Sequence, residues 1–198
     1  MEKSSYQQRK LALIQEIIDA FEGVARGNGV ALHEALVIDD YGGPDARAKA
    51  RTKDTEPCWQ AVPEEDIRCK QAVLSFLDDE GFHYYIPAYL VWYVQNIDSE
   101  GPEYESNTFD SVIFHLTGLG DERLSGRFKR FTTEQCRAIA HFLLFEAERQ
   151  EVPEIEWMRE SLAKGGLSPE EIEPILRSHD FCDTRIRKAL DQYWQQFL

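Results

Sequence analysis

Residues 76–94 read FLDDEGFHYYIPAYLVWYV and hold seven of the 23 aromatic residues of the chain. Aromatic side chains bury large apolar surfaces, so this cluster predicts the element around which the other elements pack. Asp78 can cap the first turn of a helix, and aromatic residues then recur at spacings of three and four. Apolar residues cover nearly the whole circumference, which is typical of a buried helix. We therefore predict a central helix over residues 78–97, kinked or restarted at Pro87 because proline lacks an amide hydrogen.

The whole chain has the composition of a globular protein. It has 198 residues, of which 42% are hydrophobic and 29% are charged. This length suits one domain, and residues 151–198 could form a helical appendage packed on it. The apolar run at residues 86–94 is about half the length that a membrane-spanning helix needs, and residues 1–10 lack the apolar core of a secretion signal. We expect a cytoplasmic, all-α, single-domain helix bundle with no membrane association.

The rest of the chain also shows helical periodicity. Apolar spacing, together with capping and stop residues, predicts eight further helices. They cover residues 5–23, 30–41, 45–54, 63–76, 108–117, 133–150, 168–178 and 183–197. Residues 108–117 contain a run of strand-favouring residues and could form a short strand, but we favour a helix. Thr132 and Gln135 have the spacing of a capping box, which places a helix start at residue 133.

Four cysteines are scattered through the chain without metal-ligand or redox spacing. Cys58, Cys69, Cys136 and Cys182 include no Cys-x-x-Cys pair. Four cysteines in a chain of this length do not make a disulfide scaffold. We expect reduced thiols, most of them buried.

The chain is strongly acidic. It carries 22 basic and 36 acidic side chains, a formal net charge of −14, with the excess in both halves. Such a field repels nucleic acids and anionic lipids and favours basic surfaces, although acidity can also serve solubility alone. We expect a basic protein partner and no nucleic-acid partner. The residues predicted to contact the partner are Glu100, Glu103, Glu105, Glu148, Glu151, Glu154 and Glu156.

One local group of basic residues stands out against this background. Its members are Arg123, Arg127, Lys129, Arg130 and Arg137. A basic patch beside aromatic residues could bind nucleic acid. Because the net charge is so negative, we expect these residues to pair with the acids at residues 146–160 instead.

The best candidate for a polar site is the group His33, Glu34, Asp39 and Asp40. His33 and Asp40 are seven residues apart and share a helix face, so the four could help to hold a divalent ion. The second histidine of a His-Glu-x-x-His zinc helix is missing. We favour capping and salt bridges before Gly42, and we expect no metal and no cofactor.

The histidines are weaker candidates for acid–base catalysis. His83 lies among tyrosines and close in sequence to three acids, so its pKa could be tuned for proton transfer. For His83, His115 and His141 we favour a structural role at the core edge, hydrogen-bonded to a carboxylate. No nucleophile elbow, phosphate loop or dinucleotide fingerprint is present in the sequence, and an enzymatic activity is therefore not favoured.

Several motifs carry a resemblance. The patterns HEAxVIDDYG at residues 33–42 and FLDxEGFxxYxPAY at residues 76–89, with FTTEQCRAI at residues 131–139, resemble an uncharacterised bacterial family of acidic proteins of about this length. That resemblance implies no activity and no site residues. In character, as a small acidic helical protein with an aromatic helix, the chain is also similar to the immunity proteins of contact-dependent toxin systems.

The expected function is therefore non-enzymatic binding. The protein would neutralise or regulate a basic protein partner, as an immunity protein inhibits its toxin. One alternative is a metal-dependent hydrolase that uses His33, Glu34, Asp39 and Asp40. A second alternative is a structural scaffold that self-associates, and the sequence leaves the oligomeric state open.

Overall fold

The computed structural model describes residues 3–99, 103–118, 126–179 and 181–198. Within these ranges the chain forms α-helices and short 3₁₀ helices and no strand, so the predicted all-α class is confirmed. The α-helices are α1 Lys3–Ala20, α2 Leu32–Asp39, α3 Pro44–Arg51, α4 Glu64–Cys69, α5 Asp79–Asn96, α6 Glu103–Thr117, α7 Thr133–Lys164, α8 Pro169–Arg177 and α9 Thr184–Gln192. The 3₁₀ helices are Trp59–Ala61, Gln71–Ser75, Phe128–Arg130 and Trp194–Phe197.

Helix α5 is the predicted central helix. Its N-cap is Asp78, whose Oδ1 accepts a hydrogen bond of 2.8 Å from the Gly81 amide, and its C-cap is Ile97. The helix runs through Pro87 without restarting. Twelve of its 18 residues are buried, and they lie on all sides, so the other elements enclose it.

The other helices pack around α5 through one large apolar cluster. Helix α1 contacts α5 and α7, while α6 contacts α4 and α5. Two buried indoles each donate a hydrogen bond to a backbone carbonyl oxygen in a distant part of the chain. The Trp59 Nε1 donates to the Phe21 carbonyl oxygen at 2.9 Å, and the Trp194 Nε1 donates to the Leu116 carbonyl oxygen at 2.9 Å.

The loop before α2 is fixed against the first turn of α5. The Val30 amide donates to Asp78 Oδ1 at 2.9 Å, so one carboxylate oxygen serves both the loop and the helix cap. The two backbones approach so closely that a Cβ on Gly29 would lie 2.4 Å from the Gly81 nitrogen. A Cβ on Gly81 would lie 2.4 Å from the Val30 oxygen. Both positions therefore require glycine.

Several predicted helix boundaries were wrong. Helix α6 begins at Glu103 instead of residue 108, and α9 ends at Gln192, before a separate 3₁₀ helix over Trp194–Phe197. The helix predicted over residues 63–76 is broken at Lys70, which has φ −119° and ψ 43°, and α4 ends before it. The Lys70 carbonyl oxygen instead accepts a hydrogen bond of 3.2 Å from the buried Tyr89 hydroxyl. Helix α7 does not end at residue 150 but continues through Pro153 to Lys164, because residues beyond the proline pack on a second apolar cluster.

This second cluster lies at the C-terminal half of α7. Its buried members are Ile172, Leu176 and Phe181, and its partly buried members are Ile155, Met158, Leu162 and Leu167. The residues of α9 and the final 3₁₀ helix belong to the main core instead, through Ile186, Leu190 and Trp194. Packing therefore returns to the main core after residue 181.

None of the described helices combines the length and the apolarity that crossing a bilayer requires. All four cysteines are free thiols. Cys136 is buried, and burial raises the pKa of its thiol to about 11. Cys58 and Cys182 are half-buried, and Cys69 is exposed on α4.

Candidate functional site

The predicted metal ligands lie on α2 and directly after it, and two of them are occupied by other partners. His33 Nδ1 lies 2.8 Å from Asp54 Oδ1, and the His33 amide donates to Asp54 Oδ2 at 3.0 Å. Glu34 Oε2 accepts hydrogen bonds from the Arg51 Nη1 at 2.8 Å and from the Ala31 amide at 3.2 Å. His33 and Glu34 thus contribute to capping and ion pairing around α2.

The other two predicted ligands are separate from this pair. Asp39 is half-buried and Asp40 is exposed, and neither is hydrogen-bonded to His33 or Glu34. Within the described part of the chain, no group of three or more His, Cys, Asp or Glu side chains is placed to hold a metal ion. The structure therefore does not bring the four residues together as one ligand set.

A polar network that the sequence did not indicate joins the loop before α2 to α5. The Arg26 Nη1 donates to Glu56 Oε1 at 3.1 Å and to the Tyr85 hydroxyl at 2.9 Å, and its Nη2 donates to the Asp54 carbonyl oxygen at 3.1 Å. The Tyr85 hydroxyl in turn donates to Glu56 Oε1 at 2.7 Å. Burial is the main cause that raises the pKa of Tyr85, which keeps its proton available for this bond. The network holds the loop in place; only the aromatic spacing of Tyr85 was visible in the sequence.

His83 is a structural residue at the edge of the core. Its Nε2 lies 2.8 Å from Gln135 Oε1, and its ring packs edge-on against Phe131 with 4.8 Å between centroids. Burial lowers the pKa of His83, so the ring is neutral near pH 7. The predicted carboxylate partner was wrong here, because the first turn of α7 places the Gln135 amide beside the ring.

The other two histidines differ from each other. His141 Nδ1 lies 2.7 Å from Glu16 Oε1, which confirms the predicted carboxylate partner. His115 Nδ1 instead lies 2.7 Å from the Ser111 carbonyl oxygen, and its Nε2 lies 3.2 Å from Ser75 Oγ. Burial also lowers the pKa of His115.

Arg127, from the predicted basic group, is a buried structural residue. Its Nη1 donates to the Leu74 carbonyl oxygen at 3.0 Å and its Nη2 to the Leu77 carbonyl oxygen at 2.9 Å. The guanidinium lies over the Phe82 ring, 5.0 Å from the centroid, and its Nε is 3.8 Å from Asp79 Oδ1. Arg127 therefore fixes the segment that leads into α5.

The predicted pairing of the basic group with residues 146–160 was wrong for Arg127 and Arg130. Arg130 Nη2 lies 3.7 Å from Glu80 Oε1, so both arginines face acids in the first turn of α5. The spacing of the residues along the chain did not indicate which helix they would meet. Lys129 and Arg137 are exposed, and Arg123 lies outside the described residues.

The predicted partner-binding acids fall into separate groups. Glu148 is ion-paired with Arg9 of α1, and Glu151 with Arg187 of α9, so their charges are compensated within the chain. Glu103 and Glu105 lie in the first turn of α6, and Glu100 lies outside the described residues. Glu154 and Glu156 are the two other members of the predicted set.

Glu154, Glu156 and Trp157 are exposed within one turn of α7, and we call these three residues the α7 patch. Both glutamates are exposed, and neither has an ion-pair partner in the part of the chain that the structure describes. Trp157 leaves 69% of its surface exposed, although its neighbours Ile155 and Met158 turn inward to the second cluster. The exposed indole of Trp157 lies one turn from the uncompensated carboxylate of Glu154 and has no evident role in packing.

The α7 patch borders a groove between α7 and the segment after α8. The groove has a volume of about 470 Å³ and is lined by Pro153, Glu154, Trp157, Met158, His179 and Phe181. Among the described residues its walls are mostly apolar, and they carry one carboxylate and neither lysine nor arginine. This combination suits a basic side chain with an apolar stem.

Residues 9–164 match the model of a family of unknown function, DUF6714. The chain belongs to the DUF6714 family. The predicted resemblance to an uncharacterised family is thereby confirmed. The matched region runs from within α1 to the end of α7, whereas α8, α9 and the second wall of the groove lie beyond it. Comparisons with curated proteins and with solved structures gave no match.

Proposed function

We propose that this DUF6714 protein is a non-enzymatic acidic binding protein that neutralises or regulates a basic protein partner, in the manner of an immunity protein. The observation that carries the proposal is the α7 patch, where exposed Trp157 lies one turn from Glu154 and where neither Glu154 nor Glu156 is ion-paired within the described residues. We place this activity in the cytoplasm, consistent with four free thiols.

The charge distribution supports a basic partner. The chain has a formal net charge of −14, and the ion pairs of Glu148 and Glu151 leave Glu154 and Glu156 as the uncompensated members of the predicted set on α7. Complementary charge speeds encounter and excludes wrong partners. A positively charged protein surface would therefore be steered towards this half of α7.

Trp157 supplies a large apolar contact surface, which the charged residues alone do not provide. Tryptophan is enriched among the residues that contribute most to binding at protein interfaces, because it buries a large rigid surface at a small entropic cost. A cation over the indole face adds a cation–π attraction. An arginine of the partner could contact the indole and Glu154 together, with its stem in the groove.

The experiment compares three immobilised proteins in pull-downs from the native lysate. They are the wild type, the patch variant Glu154→Gln/Glu156→Gln/Trp157→Ala, and the control Glu22→Gln/Asp191→Asn, which removes the same charge from two exposed positions elsewhere. We expect a basic protein to be retained by the wild type and the control and lost by the patch variant. Calorimetry with that protein should then show an affinity about tenfold lower at 500 mM salt than at 50 mM salt.

Two results would contradict the proposal. Equal retention by the patch variant would show that Trp157 and its glutamates do not bind the partner. An affinity that stays constant across this salt range would show that opposite charge does not drive the association.

A further inference from the structure

Tyr41 occupies a backbone position that normally requires glycine. The end of α2 is closed by two hydrogen bonds, from the Tyr41 amide to the Ile38 oxygen at 3.1 Å and from the Gly42 amide to the Val37 oxygen at 2.7 Å. This pair defines a Schellman motif, with Tyr41 at the position that adopts left-handed φ. Its φ is 59°, a value that costs an L-residue energy and that tyrosine rarely adopts.

The Tyr41 side chain does not contribute to packing within the described chain. It leaves 95% of its surface exposed, the largest fraction among the exposed large hydrophobic residues of the described chain. The adjacent Gly42, in contrast, is required by space, since a Cβ there would lie 2.3 Å from Val37 Cγ1. Stability alone would favour glycine at both positions, so a tyrosine at position 41 points to a contact outside the chain.

The charges around Tyr41 are also unfavourable for the free protein. Asp39 and Asp40 stand at the C-terminal end of α2, where the helix dipole is negative, and the last turn contains no basic residue. Arg47 reaches this turn, but its Nε donates to the Gly42 carbonyl oxygen at 2.8 Å. Two carboxylates, a negative helix end and an exposed aromatic ring thus lie within residues 39–42, which we call the acidic turn.

We propose that the acidic turn binds an arginine side chain of the basic protein partner. A guanidinium over the Tyr41 ring gains a cation–π contact, while Asp39, Asp40 and the negative end of α2 attract its charge. One bound cation therefore relieves the electrostatic cost at the helix end and gives the exposed ring a contact. The basic character of the partner rests on the proposed function; the site itself rests on the geometry of the acidic turn.

The test uses full-length protein and a defined probe, the tripeptide Gly-Arg-Gly blocked at both ends, followed by amide NMR. We expect the Tyr41 and Gly42 amides to shift saturably on titration. Tyr41→Phe keeps the ring and should bind within twofold of the wild type, whereas Tyr41→Gly should bind about fivefold more weakly. Tyr41→Gly should also raise Tm by about 1–3 °C, because it releases the left-handed strain. The patch variant should retain the Gly42 shift.

The outcomes separate this inference from the proposed function. If the α7 patch responds to the peptide and Gly42 does not, the acidic turn is not a binding site and the proposed function stands. If neither responds, the acidic turn does not bind arginine, and the pull-down with the patch variant decides the proposed function separately. A lower Tm for Tyr41→Gly would mean that the fold itself needs the tyrosine, which would overturn the inference.

Discussion

Replacing Arg127 by methionine tests whether the buried guanidinium fixes the entry into α5. The side chain is only 4% exposed and donates to the Leu74 and Leu77 carbonyl oxygens. Hydrogen bonds to a charged group contribute about 1.5–3 kcal/mol each, and carbonyls left without donors keep their desolvation cost. Methionine recovers part of this because it needs no desolvation of charge. We therefore expect Arg127→Met to lower the free energy of unfolding by about 3 kcal/mol, or Tm by about 6–12 °C.

Urea denaturation followed by circular dichroism measures this free energy. The matched control is Arg130→Met, since Arg130 is 50% exposed and lies 3.7 Å from Glu80 Oε1. An exposed pair at this distance contributes little, so the control should lose less than about 0.5 kcal/mol. Arg127→Lys should fall between the two, because one ammonium does not reproduce the fork of two donors. An Arg127→Met variant within about 1 kcal/mol of the control would refute the reasoning.

Three other variants test the packing around α5. Gly81→Ala should cost at least about 2 kcal/mol of unfolding free energy and increase hydrogen exchange at the Val30 amide, because the added Cβ would meet the Val30 oxygen at 2.4 Å; unchanged exchange would contradict the close approach. Asp78→Ala should cost about 1–2 kcal/mol, measured by urea denaturation, since it removes an N-cap that also accepts from Val30; a loss below about 0.3 kcal/mol would exclude this role. Because burial lowers the pKa of His115, the unfolded state binds its proton more tightly. As the pH is lowered from about 6.5, the free energy of unfolding should therefore decrease, with His115 contributing at most about 1.4 kcal/mol per pH unit. His115→Gln should reduce this slope in urea denaturation at several pH values. An unchanged slope would contradict the prediction.

Local patterns in the sequence were sufficient to locate the helices, although not all of their ends. The aromatic spacing at residues 78–97 identified α5, Asp78 identified its N-cap, and the Thr132–Gln135 capping box identified the start of α7. These features depend on neighbours within one or two turns, so they can be read from the chain alone. The helix preference at residues 108–117 was confirmed for the same reason.

Contacts between distant residues required the tertiary structure. The Tyr89 hydroxyl donates a hydrogen bond to the Lys70 carbonyl oxygen, at the residue where the predicted helix is broken. Helix α7 continues past Pro153 because its later residues pack in the second apolar cluster. The same holds for the candidate surfaces. The sequence predicted an acidic partner-binding set, but only the structure showed that Glu148 and Glu151 are compensated by α1 and α9.

The acidic turn best illustrates the difference between what the sequence indicates and what only the tertiary structure determines. The HEAxVIDDYG motif was visible from the start, and its polar residues were interpreted as ordinary stabilisation of a turn. The sequence carries no information about the sign of φ at Tyr41 or about what its ring contacts. Backbone handedness and exposure are properties of the folded chain, set by how α2 ends against its surroundings.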